Sequence, residues 1–299
     1  KKYEISYNYI RYVNYISGPN INCENMSFFN NNDKDKTLLI YDGGGLGDKI
    51  MLSRFIPKLC NDYKDNNIIF LTNDRLIWFF NKIFKNLSNL RIISDKTPNL
   101  IGKINYHCSL LSLIKYFNIT YDKIYTIDDY KNFDIKISNE CKKIISSFTE
   151  NTYIINWKGN PNNMHEKSNR MMDLKNAIPL FMIDKINWIV INKDINKQEI
   201  KILKKYNVKY YGNIIDKDMA FYDTISILRN VKGIISTDTS LPHLSLSMGI
   251  KTFVLLTLGC EWRWTQDKIT NWYPNAVLLR QNKLSDWEEP INQLIKLIS

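Results

Sequence analysis

The sequence lacks the patterns that usually mark metal, disulfide and membrane proteins. Its 299 residues include five cysteines and three histidines, and no two cysteines stand in a Cys-x-x-Cys spacing. Scattered cysteines of odd number argue against a zinc site or a disulfide framework and are typical of a reducing compartment, so we expect a cytoplasmic protein. No run of about 18 apolar residues occurs, so no membrane-spanning helix is expected.

Acidic residues are also in short supply. Lys and Arg number 41 against 30 Asp and Glu, which gives a formal net charge of +11. A basic surface could attract phosphorylated substrates, anionic membranes or nucleic acid. Because the lysines are dispersed along the chain, nucleic-acid binding is not expected as the main role. Hydrophobic residues make up 44% of the chain, enough for a full core.

Short apolar runs alternate with helical patterns through most of the chain. Strands are predicted at 37–41, 68–71, 90–93, 104–106, 153–157, 188–191, 208–211, 234–235 and 252–256. Helices are predicted at 198–206, 222–230 and 241–248, and after the first strand, where Pro57 would kink the helix. This alternation predicts an α/β fold with two parallel, Rossmann-like sheets.

The two series of strands indicate two domains. An N-terminal domain is expected at 37–148 and a C-terminal domain at 149–299, with a lead-in or linker at 1–36. The start of the lead-in fits a helix and a strand equally well. Two such domains facing one another would hold a ligand in a cleft at the carboxyl ends of their strands.

A glycine-rich turn follows the first predicted strand and precedes a helix. It runs from Asp42 to Asp48 and fits neither a dinucleotide fingerprint, because its sixth position is Asp48, nor a P-loop. Gly45 and Gly47 would let a substrate approach the backbone closely. Asp48 could then act as a general base on an acceptor hydroxyl. The alternative is that Asp48 only caps the helix.

A second strand-to-helix turn follows the apolar run Gly233-Ile234-Ile235. The segment Ser236–Leu244 leads from that strand into a helix closed by Gly249. The N–H groups and dipole of a helix start form an anion site. Asp238 and His243 would stand at the same edge, which suggests an enzyme that handles nucleotide sugars.

These segments together resemble glycosyltransferase family 9, the ADP-heptose heptosyltransferases. The resemblance is greater still to the glycosyltransferase domain that often follows tetratricopeptide repeats. The matching segments span 37–299 and are 37–54, 106–113, 157–161 with 169–170, 221–224, 238–243, 261–264, 272–274 and 280–281. Ser109 and Ile114 replace two prolines of the family pattern, so that loop could be shaped differently.

The family resemblance implies a GT-B fold and metal-independent, inverting transfer from a nucleotide-diphosphate sugar, with no further cofactor. Asp48 would be the catalytic base. The donor-binding residues would be Lys158, Arg170, Asp238, Thr239, Ser240, Leu241 and His243. The acceptor or cleft residues would be Gly45, Gly47, His107, Trp262 and Arg263.

Within the donor site, the backbone at 239–241 would cradle the diphosphate, and Lys158 or Arg170 would neutralise the β-phosphate. Asp238 would bind sugar hydroxyls. Each assignment has a structural alternative: a helix cap for Asp238, a solvated cation for Lys158 or Arg170, and packing for His243. His107 would contact acceptor or donor, and the Trp262–Arg263 pair would either stack on a ligand or pack in the core.

Two alternative functions remain: a nucleotide-sugar epimerase of the same fold, and a non-catalytic nucleotide-sugar or glycan-binding module. The acceptor could be a glycan, a lipid-linked sugar or a protein. Two Asp-x-Asp segments, 33–35 and 216–218, match the form seen in metal-dependent glycosyltransferases. Because neither directly follows a strand, both are interpreted as loop charges and no metal is predicted.

Overall fold

The computed structural model describes residues 23–25, 28–29, 32–41, 44–97, 102–124, 130–162 and 170–299. The chain divides into two compact units, Lys1–Phe133 and Asp134–Ser299. The helix Asn139–Ile145, which precedes the predicted domain boundary at 148–149, falls in the second unit. Most of the predicted lead-in, including all of 1–22, lies outside the described residues.

The described part of the first unit contains a sheet of parallel strands. Its strands are β1 Cys23–Asn25, β2 Thr37–Tyr41, β3 Asn67–Thr72, β4 Leu90–Ser94 and β5 Ile104–Ser109. Its helices are Leu46–Leu52, Ile56–Asp62, Ile77–Ile83 and Ser112–Tyr116, with 3-10 turns at Ser53–Phe55, Asp74–Leu76 and Tyr121–Lys123.

The strand order in this unit is β1-β5-β2-β3-β4, with every pair parallel. Parallel strands are buried on both faces, which is why they read as continuous apolar runs. On one face Phe70 packs against Phe80 of the helix Ile77–Ile83, with ring centroids 5.1 Å apart. The chain reverses its direction of winding between β2 and β5, where ligands bind in open α/β sheets. The glycine-rich turn leaves β2 at this point.

Pro57 breaks the predicted helix rather than kinking it. The segment forms two helices joined by the turn Ser53–Phe55, and Pro57 sits in the first turn of the second helix. A first-turn residue needs no intrahelical N–H bond, so proline is tolerated there. The prediction of one helix was therefore wrong at this point.

The second unit contains the other sheet. Its strands are β6 Thr152–Asn156, β7 Asn187–Val190, β8 Lys209–Tyr210, β9 Gly233–Thr237, β10 Thr252–Leu256 and β11 Ala276–Arg280. Its helices are Asn139–Ile145, Ile178–Phe181, Lys197–Lys205, Tyr222–Leu228, Ser240–Ser247 and Glu288–Ile298, with 3-10 turns at Leu174–Ala177 and Trp262–Trp264.

The order of these strands is β8-β7-β6-β9-β10-β11, all parallel. Numbered along the unit, this is 3-2-1-4-5-6, the order of a Rossmann fold. Its core includes Trp157, Trp188, Phe253 and Leu294, all buried. The winding reverses between β6 and β9, so the carboxyl ends of these two strands, at Asn156 and Thr237, mark the expected ligand position.

The helices in the described part of the chain are short. The longest, Glu288–Ile298, has 11 residues, and none of the described helices has the length and apolar character that a bilayer crossing requires.

Candidate functional site

The site in the second unit begins where β9 turns into the helix Ser240–Ser247. Asp238 and Thr239 form the turn, and Thr239 is the N-cap residue of the helix. The Oγ1 atom of Thr239 accepts hydrogen bonds from Leu241 N at 3.4 Å and from Asn156 Nδ2 at 3.2 Å. Because Asn156 ends β6, these bonds connect the helix start to both strands at the reversal point.

Fewer backbone N–H groups are available to an anion at this helix start than the sequence predicts. The Leu241 N–H donates to the Thr239 cap, and Pro242 has no N–H to offer. The N–H groups of Thr239 and Ser240 have no hydrogen-bond partner in the described part of the chain. Of the three backbone groups predicted at 239–241, two are therefore available for an anion.

Arg170, Asp238 and His243 converge beside this helix start. Asp238 Oδ1 lies 3.0 Å from Arg170 Nη2 and 3.8 Å from His243 Nε2. The exposed fractions of the three side chains are 19% for Arg170, 6% for Asp238 and 2% for His243. Neither contact has hydrogen-bond geometry at Oδ1, and within the described ranges this buried oxygen has no hydrogen-bond partner.

Aromatic residues enclose His243 on its other sides. Tyr273 Oη lies 3.0 Å from His243 Nδ1, and both side chains are buried. The Trp264 ring stacks on the imidazole, with centroids 5.2 Å apart and an interplanar angle of 27°. Of the Trp262-Arg263-Trp264 tripeptide, it is thus Trp264 that contacts His243. Arg263 lies over the exposed Trp262 ring at 5.6 Å, and Trp262 meets Trp272 edge-on.

Arg280, at the end of β11, holds this aromatic segment in place. Its guanidinium donates to Thr265 O at 2.9 Å, to Trp264 O at 3.4 Å and to Cys260 Sγ. Burial raises the pKa of the Cys260 thiol, and the Arg280 charge acts in the opposite direction. Arg280 thus fixes the turn that presents Trp264 to His243.

Lys158 does not join the cluster around Asp238 but pairs with Glu199. Its Nζ lies 2.8 Å from Glu199 Oε1 and 2.7 Å from Oε2. The same carboxylate accepts hydrogen bonds from Trp157 Nε1 at 2.8 Å and from Asn196 N at 2.7 Å, where it completes the capping box of the helix Lys197–Lys205. The structure therefore favours Arg170 as the cation beside the predicted phosphate position.

In the first unit, Asp48 folds back onto the glycine-rich turn. Its Oδ2 accepts a hydrogen bond from Gly45 N at 2.9 Å, so Asp48 caps the helix Leu46–Leu52. A Cβ added at Gly44 would lie 2.5 Å from Asp48 Oδ2, whereas one at Gly45 would lie 3.7 Å away. Gly44 is thus needed for the close approach of the carboxylate, while Gly47 is buried at the start of the helix.

His107 lies within β5. The strand continues to Ser109, so the predicted end at 106 was wrong, and His107 pairs in register with Leu39 of β2. Its ring lies 5.9 Å from that of Tyr41, and burial lowers the pKa of the imidazole. His107 lies on β5, which is paired with β2, the strand that the glycine-rich turn follows.

Comparisons with known proteins match at the level of the fold. No protein-family model matches the sequence, and no curated protein matches it. ADP-heptose LPS heptosyltransferase II of E. coli aligns with 88% of this chain and 98% of its own, at 11% identity and a TM-score of 0.56. A family 9 glycosyltransferase of Veillonella parvula aligns over 88% and 96%, at 10% identity and a TM-score of 0.54.

The third structure is TibC of enterotoxigenic E. coli, described as an iron-containing dodecameric glycosyltransferase. It aligns with 86% of this chain and 66% of its own, at 10% identity and a TM-score of 0.56. The fold is therefore GT-B. This confirms the predicted fold class and the predicted structural likeness to the family 9 heptosyltransferases.

The Asp-x-Asp segment at 216–218 was interpreted as loop charges, but its first residue is buried. Asp216 is buried and accepts hydrogen bonds from Asp223 N at 2.6 Å and Thr224 N at 3.1 Å, at the start of the helix Tyr222–Leu228. Burial raises the pKa of the Asp216 carboxyl, although hydrogen bonds from Thr224 oppose this shift. Asp216 is thus a helix cap. The described residues contain no group of three or more His, Cys, Asp or Glu placed to hold a metal ion.

Proposed function

We propose that this chain is a glycosyltransferase that moves a sugar from a nucleoside-diphosphate donor to an acceptor hydroxyl, without a metal ion and with inversion. The observation that carries the proposal is the group of Arg170, Asp238 and the helix start at Ser240. It combines a cation, a carboxylate and two N–H groups that have no partner among the described residues, at the Rossmann reversal point. Such a group suits a ligand with both a diphosphate and sugar hydroxyls.

In this proposal the second unit binds the donor. The N–H groups of Thr239 and Ser240 and the guanidinium of Arg170 stabilise the negative charge that develops on the leaving diphosphate. Asp238 accepts hydrogen bonds from sugar hydroxyls. His243 contacts the Asp238 carboxylate on the side that faces the protein interior. TibC has been solved with ADP-D-β-D-heptose, so ADP-heptose is the first donor to test.

The first unit supplies the base in the same proposal. Asp48 takes the proton of the acceptor hydroxyl as its oxygen attacks the anomeric carbon and the bond to the β-phosphate oxygen breaks. This single displacement inverts the anomeric configuration. The acceptor is a glycan, a lipid-linked sugar or a protein.

Calorimetric titration with ADP, UDP, GDP and ADP-heptose, with and without EDTA, tests the donor site. We expect binding of one nucleotide class, unchanged by EDTA. Because Arg170 would make charge-assisted hydrogen bonds to phosphate, Arg170→Ala should weaken binding by about ten- to a hundredfold. The matched control is Lys232→Ala, which removes an exposed positive charge just before the amino end of β9 and should bind as well as the wild type. If none of the nucleotides binds, the proposed donor site is wrong.

Turnover separates an enzyme from a binding module. Release of nucleoside diphosphate from the bound sugar conjugate, with the sugar passing to an added glycan acceptor or to water, should depend on Asp48, and Asp48→Asn should abolish release while leaving donor affinity intact. Donor binding without turnover in either protein would instead identify a binding module.

A further inference from the structure

His243 is held in a buried setting with a different partner at each ring nitrogen. Tyr273 Oη lies 3.0 Å from Nδ1, and Asp238 Oδ1 lies 3.8 Å from Nε2. Both His243 and Tyr273 are buried. Trp264 stacks on the imidazole face and lies 5.9 Å from the Tyr273 ring. The ring therefore has little freedom to rotate, and these two contacts bear directly on which nitrogen carries its proton.

The hydrogen-bond donors and acceptors of His243, Asp238 and Tyr273 fit one arrangement of the protons. A neutral imidazole carries one N–H donor and one acceptor nitrogen, a carboxylate only accepts, and a phenol donates one proton. With the proton on Nε2, the imidazole N–H points toward Asp238, and Tyr273 donates to Nδ1. With the proton on Nδ1, a lone pair on Nε2 would face the carboxylate at a buried site, where such repulsion is strong.

We propose that Tyr273 is a positioning residue that holds the proton of His243 on Nε2, facing Asp238. The N–H then attracts one side of the carboxylate while Arg170 attracts it from the other. The Asp238 carboxylate is thereby fixed in orientation for a sugar hydroxyl. This consequence for catalysis rests on the proposed function, whereas the protonation of His243 in the ligand-free protein does not.

The position of Tyr273 is well determined by its surroundings. Its backbone N–H donates to Thr270 O at 3.1 Å, and its carbonyl accepts from Ala276 N at 3.0 Å. Trp264, on which the arrangement depends, is fixed in turn by Arg280. A phenylalanine at 273 would keep this packing and lose only the hydroxyl. Tyr273→Phe is therefore a change that isolates the hydrogen bond.

Nitrogen NMR of histidine-labelled protein tests the proposal directly, because the chemical shift of each ring nitrogen reports whether it carries a proton. The His243 signals are assigned by their loss in His243→Ala. We expect a protonated Nε2 and a bare Nδ1 in the wild type. In Tyr273→Phe the Nδ1 lone pair loses the Tyr273 hydroxyl, so both nitrogen shifts should change. The matched control, Tyr153→Phe, removes another buried tyrosine hydroxyl, at the start of β6, and should leave them unchanged.

Kinetics supply the second readout. In Tyr273→Phe we expect kcat to fall about tenfold, the effect of losing one buried hydrogen bond. Affinity for the nucleoside diphosphate alone should not change, since this ligand lacks the transferred sugar that Asp238 is proposed to bind. In a His243→Ala background, Tyr273→Phe should have no further effect on kcat, because the residue through which it acts is gone.

Two results would overturn the proposal: a wild-type His243 protonated on Nδ1, or nitrogen shifts that are the same in Tyr273→Phe. A wild type that binds no donor overturns the proposed function, and the NMR result is read independently of it.

Discussion

Replacing Lys158 with methionine distinguishes a phosphate-binding lysine from one that supports the fold. Lys158 and Glu199 are 9% and 13% exposed, and their charges lie 2.7 Å apart. The carboxylate accepts four hydrogen bonds: two from Lys158, one from Trp157 Nε1 and one from Asn196 N. Lys158→Met removes two of the four and leaves a carboxylate in a mostly buried position without its counter-charge.

The expected loss of stability follows from this count. Breaking a fully buried ion pair costs about 3–5 kcal/mol, because the remaining charge is uncompensated. Here Glu199 keeps two donors and some contact with water, so we expect Lys158→Met to lower the free energy of unfolding by about 2 kcal/mol. That loss corresponds to a melting temperature about 4–8 °C lower for a unit of this size. The methionine preserves the apolar stem of the lysine, so packing changes little.

The double variant Lys158→Met with Glu199→Gln isolates the charge. A glutamine can still accept from Trp157 and Asn196 and leaves no buried charge, so stability should return to within about 1 kcal/mol of the wild type. Lys201→Met, an exposed lysine on the helix Lys197–Lys205, is the matched control and should stay within about 0.5 kcal/mol.

Urea unfolding followed by tryptophan fluorescence, combined with nucleotide titration, measures both possible roles. We expect Lys158→Met to be less stable and, at a temperature where it is folded, to bind the nucleoside diphosphate nearly as tightly as the wild type. An unchanged free energy of unfolding with a large loss of affinity would refute this reasoning and restore Lys158 as the phosphate ligand.

Two more predictions concern the first unit. Gly44→Ala should displace the Asp48 carboxylate and reduce transfer at least tenfold. Gly45→Ala, whose Cβ makes only ordinary contact, should keep most activity. Equal rates of the two variants in a donor-turnover assay would show that the close approach of Gly44 is unimportant. Burial lowers the pKa of His107 in the folded protein, so as pH falls the unfolded chain is protonated at this histidine before the folded chain is. The stability that comes from the neutral imidazole is therefore present above about pH 6.5 and is lost as pH falls through the folded-state pKa. Urea midpoints at pH 7 and pH 5 should therefore differ less in His107→Gln than in the wild type, and equal differences would contradict this.

The sequence is most informative about strands that lie inside the sheets. The run Thr252–Leu256 is apolar at each position after the first, and the observed strand has the predicted bounds. Prediction fails where a strand ends in polar residues, as in β5, since His107, Cys108 and Ser109 do not look like an apolar run. The order of the strands depends on pairing between distant segments, which a periodicity cannot show.

The local part of the candidate site could also be predicted. Asp238, Thr239 and His243 stand within one strand-turn-helix segment, so the pattern brings them together. The residues around His243 come from elsewhere: Tyr273 lies 30 positions later, and the buried tryptophan that stacks on the imidazole belongs to a separate turn. The only sequence signal for Tyr273 was its place in a family-like segment, which gives no contact.

The same limit applies to the two Asp-x-Asp segments, whose patterns are identical. Asp33 lies in a loop before β2, whereas Asp216 lies close to the start of the helix Tyr222–Leu228 and is drawn in by its unpaired N–H groups. A carboxylate beside such donors is stabilised as a cap. The difference therefore comes from the neighbouring helix start and not from the motif.

The choice between Lys158 and Arg170 depends on what each cation would give up to bind a phosphate. For Lys158 the partner is Glu199, 41 positions away, which also caps a helix and binds Trp157. Moving Lys158 to a ligand would leave that carboxylate buried without its cation, a cost that a phosphate would have to offset. Arg170 is more exposed, and its guanidinium lies 3.0 Å from Asp238 beside the helix start at Ser240. A phosphate at that helix start could therefore approach Arg170 without leaving a buried carboxylate such as Glu199 uncompensated.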